Sequence, residues 1–139
     1  MNVKIEYSQS ALNTPAFALI AEGWNAMVQE GWTLDDDGVP PITAESRVIY
    51  ALNDKDGDVI GVVCWTVHKT VATLGLIYVE PSSTQAGVFK DMMAALSERL
   101  RAEKVGHVRF VVHVENKNAQ AALRHLDHKP QALVYDLRL

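Results

Sequence analysis

Apolar and polar residues alternate from Asn2 to Ser8, with Val3, Ile5 and Tyr7 on one side, and this period of two predicts a half-buried strand. Asn13 and Thr14 then precede Pro15, which supplies a cap residue and a proline at the first helical position. Phe17, Ile20, Trp24 and Met27 or Val28 recur at helical spacing, so a helix is expected to about Gln29, ended by Gly31. Thr33 to Glu45 is acidic and carries glycine and proline, which reads as a surface loop. The β-branched runs Arg47 to Leu52 and Val59 to His68 flank NDKDGD and read as a hairpin. Val71 to Glu80 adds a third neighbouring strand, giving an antiparallel meander.

After a short polar loop, Val88, Met92, Ala95, Leu96, Leu100 and Ala102 form the apolar stripe of a long helix with one buried face. HVRFVVHV, residues 107–114, is nearly continuous in apolar character, as expected of a strand covered on both faces. Asn116 and Asn118 suit the cap of a short helix over about Ala119 to Asp127, and Ala132 to Leu139 reads as a last strand. The order is β, α, β, β, β, α, β, α, β, with no internal repeat. The fold class is α/β (α+β), with a mixed sheet of about six strands, an antiparallel N-terminal part and about three flanking helices.

Composition narrows the reading. The 139 residues fit one domain, 1–139, able to bury roughly two-thirds of the surface of the unfolded chain. A net charge of −4, from 13 basic and 17 acidic residues, argues against a broad nucleic-acid-binding face. The lone Cys64 sits in an apolar run and suits a reducing compartment, so a cytoplasmic location is expected. No apolar run approaches the ~20 residues of a membrane span, and the first residues do not read as a secretory leader.

The junction from Val71 to Lys104 carries the chemistry. A strand that opens into a helix N-terminus gathers unpaired backbone N–H groups with the helix dipole behind them, which suits a phosphate or pyrophosphate. The element order, the YVEP segment at Tyr78 to Pro81, the loop with Gly87, and ENKNAQAALRHLDHKP at Glu115 to Pro130 together resemble the GNAT superfamily of acyl-CoA-dependent N-acyltransferases. The resemblance spans Asn2 to Leu139 and is strongest over residues 71–130.

In that family the loop after the fourth strand usually reads Arg or Gln, two residues, Gly, one residue, then Gly or Ala. The matching positions are Thr84, Gly87 and Phe89, so one of the three is kept. The resemblance implies that backbone donors of Gln85, Ala86, Gly87, Val88 and Phe89 hold the pyrophosphate of acetyl-CoA, the co-substrate. It places Asn116 beside the pantetheine arm and Ala119 on the small face of the following helix. Leu123 stands where the family often has a Tyr acting as general acid, and Asp127 and His128 stand where it has a Gly-Phe pair.

The implied reaction is direct attack of an amine on the acetyl thioester, held in a splay between the fourth and fifth strands and polarised by a backbone N–H near Val79. A general base aids an amine that must be neutral to attack, and Glu80 and His113 are the two candidates. Each has a structural alternative: a Glu before a proline at a strand end is usually solvated, and a His between valines is usually a satisfied polar group. The expected acceptor is an amine-bearing small molecule or protein amino group, with Asp35 to Asp37 a candidate attractor of cations or else a solvated loop. Asp54, Asp56 and Asp58 read as a hairpin turn, too short for a calcium loop. Trp24, Trp32 and Trp65 are core or rim residues by default, and no His spacing suggests a metal site. The alternative function is a catalytically inactive binding or inhibitory protein of the same fold. ALVYDLRL has an apolar edge that suits pairing with a second copy in a homodimer.

Overall fold

The computed structural model describes residues 3–31, 42–83, 87–112 and 117–124. The elements run β1 (Val3–Ser8), α1 (Phe17–Glu30), β2 (Arg47–Asn53), β3 (Val59–His68), β4 (Val71–Val79), a 3-10 turn (Pro81–Ser83), α2 (Val88–Ala102), β5 (His107–Phe110) and α3 (Lys117–Arg124). The five strands form one sheet in the order β1-β2-β3-β4-β5. The first four are antiparallel neighbours and β5 joins β4 in parallel, so the sheet is mixed as expected. The expected last strand, 132–139, lies outside the described residues.

Alternation along these strands divides the core into two layers. One layer packs Ile49, Ala51, Val63, Trp65, Ala72 and Leu74 beneath Val88, Met92, Met93, Leu96 and Leu100 of α2. The other packs Val48, Tyr50, Val62, Cys64 and Leu76 beneath Leu19 and Ile20 of α1. Both layers lie on a strand set that is nearly free of solvent at its centre, with Val62, Val63 and Cys64 fully buried. Burial pushes the Cys64 thiol up to about 12, so it is an inert apolar filler at neutral pH. The Trp65 indole N–H is buried without an acceptor among the described residues.

Five expectations change. Helix α1 starts at Phe17 rather than Pro15, because Ala11 to Pro15 is drawn into turns. The Ala11 N–H donates to the Ser46 carbonyl at 2.7 Å, and the Ala16 N–H donates to the Thr14 hydroxyl at 3.3 Å. Its buried face is Leu19, Ile20 and Gly23, whereas Phe17 and Val28 are about half exposed. Gly23 rotates the stripe: it lets the helix backbone lie directly on Tyr78, where a Cβ would meet that side chain at 2.8 Å. Strand β5 is four residues long and exposed at His107, Val108 and Arg109, because both long helices pack principally on β1–β4. Helix α3 includes Asn118 rather than being capped by it. In α2, Met93 joins the buried stripe and Ala102 is exposed.

The C-terminal end of α2 is tied down at the sheet edge. Arg47 and Arg99 both reach Glu103, at 2.8 and 3.4 Å, and the Arg99 guanidinium lies 3.3 Å over the Tyr7 ring. These groups are part-exposed, so they set register more than stability. Asp56 and Asn53 accept backbone N–H groups within the β2–β3 turn, as the hairpin reading expected. Among the described residues no helix is long and apolar enough to cross a membrane.

Candidate functional site

The site is built around an interruption in β4. Cys64 pairs with Leu76 and Trp65 pairs with Leu74, so Gly75 is the extra residue of a β-bulge. The bulge inverts the strand: Ala72 and Leu74 face the α2 layer, while Leu76 and Tyr78 face the α1 layer. Strand β5 pairs with Val71 to Leu74 and stops there. From Gly75 to Val79, β4 continues along β3 with no strand partner on its other edge among the described residues. The Glu80 N–H donates to the Ile60 carbonyl at 2.8 Å. Since N–H directions alternate along a strand, the N–H groups of Ile77 and Val79 point to the open edge.

Immediately after Val79 the chain turns, and Glu80 caps that turn. Its carboxylate accepts the Ser82 hydroxyl at 2.5 Å, the Ser83 hydroxyl at 3.0 Å and the Ser82 N–H at 3.3 Å. The Ser82 and then the Ser83 hydroxyl bonds hold it below the usual carboxylate range. A carboxylate so occupied is a weaker base than a free one. Tyr78 shifts the other way: burial first, then the charge of Glu22 beside it, keeps the phenol protonated above its ordinary range.

Helix α2 begins at Gly87, whose φ of 74° and ψ of 13° are left-handed, a conformation costly for a side chain with a Cβ. The Asp91 N–H closes the first helical turn onto the Gly87 carbonyl. Among the described residues no side chain caps this terminus, which leaves the N–H groups of Val88, Phe89 and Lys90 as its donors. Val88 is fully buried, and Phe89 packs against the α2 core layer. The aromatic ring at the position where the family has a small residue is thus directed into the core.

The structure brings together Val79, Glu80, Gly87, Val88 and Phe89 at one end of β4. Thr84, Gln85, Ala86, His113 and Asn116 lie outside the described residues, and Ala119 is placed in the backbone of α3. Trp32 and Asp35 to Asp37 also lie outside them. On the opposite face, Leu12, Phe17, Ile20, Ala21, Trp24, Asn25 and Ile42 line an apolar groove along the flank of α1. The groove reaches Trp24, one residue beyond the Gly23 contact with Tyr78.

The arrangement of sheet and helices that carries this strand edge is shared with known proteins. The sequence matches the Acetyltransferase (GNAT) family over residues 15–127, most of the chain. The chain belongs to the GNAT family. No curated protein matches it significantly. Among solved structures it resembles the aminoglycoside acetyltransferase meta-AAC0020 from an uncultured soil metagenomic sample, in complex with trehalose. That match has a TM-score of 0.72 and 14% identity, and covers 99% of this chain and 96% of the other. It also resembles AAC(6')-Iy in complex with the bisubstrate analogue CoA-S-monomethyl-acetylneamine, with a TM-score of 0.71, 19% identity, and coverage of 100% and 99%. The ribosomal-protein-alanine N-acetyltransferase from Brucella melitensis biovar Abortus 2308 gives a TM-score of 0.69, 14% identity, and coverage of 99% and 100%.

Three features of this GNAT site were missed in the sequence. Ser82 and Ser83 hold Glu80, and the pairing of a carboxylate with hydroxyls two and three residues on is a turn-capping signal. Gly75 and Gly61 sit inside strand patterns, where an isolated glycine marks a bulge or a close backbone approach.

Proposed function

We propose that this GNAT protein is an N-acetyltransferase that moves the acetyl group of acetyl-CoA to an amine acceptor by direct attack. The observation that carries the reading is the edge of β4 from Gly75 to Val79, which has no strand partner among the described residues and lies next to the α2 N-terminus. The helix terminus offers backbone donors and a positive dipole end to a pyrophosphate. The open edge offers a peptide-like arm the hydrogen bonds that a neighbouring strand would otherwise take.

Acetyl-CoA, when bound, supplies an activated thioester carbonyl. The Val79 N–H, aimed at the open edge, is placed to donate to that carbonyl oxygen as it gains negative charge. Gln85, Ala86, Gly87, Val88 and Phe89 would hold the pyrophosphate, with Thr84 beside them, and Asn116 and Ala119 would border the arm. The acceptor amine enters from the α1 face, where Tyr78 and Glu22 lie, and loses a proton as the new C–N bond forms. His113 is the base we favour over Glu80, whose lone pairs are engaged by two serines. With Leu123 at the position of the usual tyrosine, the departing thiolate takes its proton from water.

Aminoglycosides and ribosomal-protein alanine, named for the structural neighbours, define the acceptor classes to try first: amine-bearing small molecules and protein amino groups. Release of free CoA thiol from acetyl-CoA, followed with a chromogenic thiol reagent, should require one of these acceptors. Acceptor-independent thiol levels across both classes would instead support the second reading, a catalytically silent GNAT protein that binds acyl-CoA. The engagement of Glu80 favours that second reading.

A further inference from the structure

We infer that Gly61 is a positioning residue that sets how far the α2 N-terminus stands from the Val79 N–H. This rests on the CoA-binding reading above. Gly61 lies on β3 directly opposite Val79 in the strand register. On its α2 side, a Cβ built at Gly61 would meet Val88 Cγ1 at 2.9 Å, Met92 Cε at 2.9 Å and Met92 Sδ at 3.1 Å. Val88 is the first residue of α2 and follows Gly87 directly.

The two donor groups of the site are therefore joined through a single point. Val79 sits opposite Gly61, with the next N–H, that of Glu80, bonded to the Ile60 carbonyl beside Gly61, and the first turn of α2 rests on the bare Cα of Gly61. The two contacts with Met92 involve the far end of an unbranched side chain, which can swing aside. Val88 cannot yield in that way: its branched Cβ has essentially one rotamer in a helix, and its side chain is fully buried. A methyl at position 61 must therefore lift the first turn of α2 from the sheet. The pyrophosphate donors then move relative to Val79, while the strand edge that receives the pantetheine arm stays in place. Glycine at this position is explained by the span between two halves of one ligand.

The test is Gly61→Ala, compared with the unsubstituted protein and with the double variant Gly61→Ala/Val88→Ala, which removes the methyl met by the new Cβ. CoA binding is measured by calorimetry, and binding of pantetheine, which lacks the pyrophosphate, by NMR titration at millimolar concentration. Misplacing one charge-assisted hydrogen bond predicts a CoA Kd raised by about tenfold in Gly61→Ala. The pantetheine titration should be unchanged, and the double variant should recover CoA affinity. If Gly61→Ala does not fold, Val88→Ile lengthens the same contact from the helix side and should show the same selective loss. Unchanged CoA affinity in the folded variants, an equal loss of pantetheine, or no recovery in the double variant would overturn the inference while leaving CoA binding intact. Absence of CoA binding by the unsubstituted protein would overturn the proposed function itself, and this inference with it.

Discussion

Strand β4 has two halves with different partners. Val71 to Leu74 is hydrogen-bonded on both edges, to β3 and to β5, whereas Gly75 to Val79 is bonded to β3 alone among the described residues. The side chains of both halves are similarly apolar, so hydrophobicity does not distinguish them. One inserted glycine does. The bulge at Gly75 shifts the register where the pairing with β5 ends and inverts which residues face each helix, and beyond it the N–H groups of Ile77 and Val79 point to an edge with no strand partner among the described residues. The first half of β4 contributes its hydrogen bonds to the sheet on both sides, whereas the second half, among the described residues, does so on one side only.

The largest effect should come from damage to the closed part of the sheet. Leu96→Ala opens a cavity at a residue that is 1% exposed, and a loss of about 3 kcal/mol is expected in denaturant unfolding. Trp65→Phe, at an equally buried position, should cost about 1 kcal/mol or less, because removing an indole N–H with no acceptor among the described residues offsets part of the lost contact. Next is Gly87→Val at the open end. A β-branched residue at a φ of 74° should cost about 1–2 kcal/mol in stability, with a further loss of CoA binding that Leu96→Ala does not share in the folded protein.

Smaller still is the effect of acid on the turn after β4. The Glu80 carboxylate is held below its ordinary value of 4.5, so its bonds to Ser82 and Ser83 stabilise the folded state fully above about pH 4.5. That contribution fades as the pH falls through the lower folded-state value. Glu80→Gln should flatten this part of the stability profile, and an unchanged acid limb would show that the serine contacts do not form in solution. At the other extreme, Cys64 in the closed part should resist thiol reagents at neutral pH until the protein unfolds, consistent with a thiol pushed to about 12. Rapid labelling of folded protein would mean that β3 is not shielded as the two core layers require.

Most of the architecture was legible because it rests on periodicity. Alternation located β1, β-branched runs around a turn located β2 and β3 with β4 following them, Gly31 terminated α1 with its left-handed φ, and the 3.6-residue stripe located α2. The errors came where tertiary contact overrode local pattern. The cap-like Asn13-Thr14-Pro15 was consumed by a turn tied to Ser46, and the run at 107–110 stays exposed at Val108 because the two long helices pack principally on β1–β4. Exposure of Phe17 and burial of Gly23 follow from a contact between Gly23 and Tyr78, far apart in the chain, which no local window contains. The candidate site was legible as a strand-to-helix junction at Gly87 and Val79. Its opening depends on how residues 64 and 65 pair with residues 74 and 76, and such pairing leaves no trace in the sequence beyond the glycine itself.

The proposed function requires that the open edge and helix terminus take a CoA-type ligand. Calorimetric titration of the full chain with acetyl-CoA should give a saturable heat at one site per chain with a micromolar Kd. Absence of any heat with millimolar acetyl-CoA, from protein shown to be folded, would contradict it.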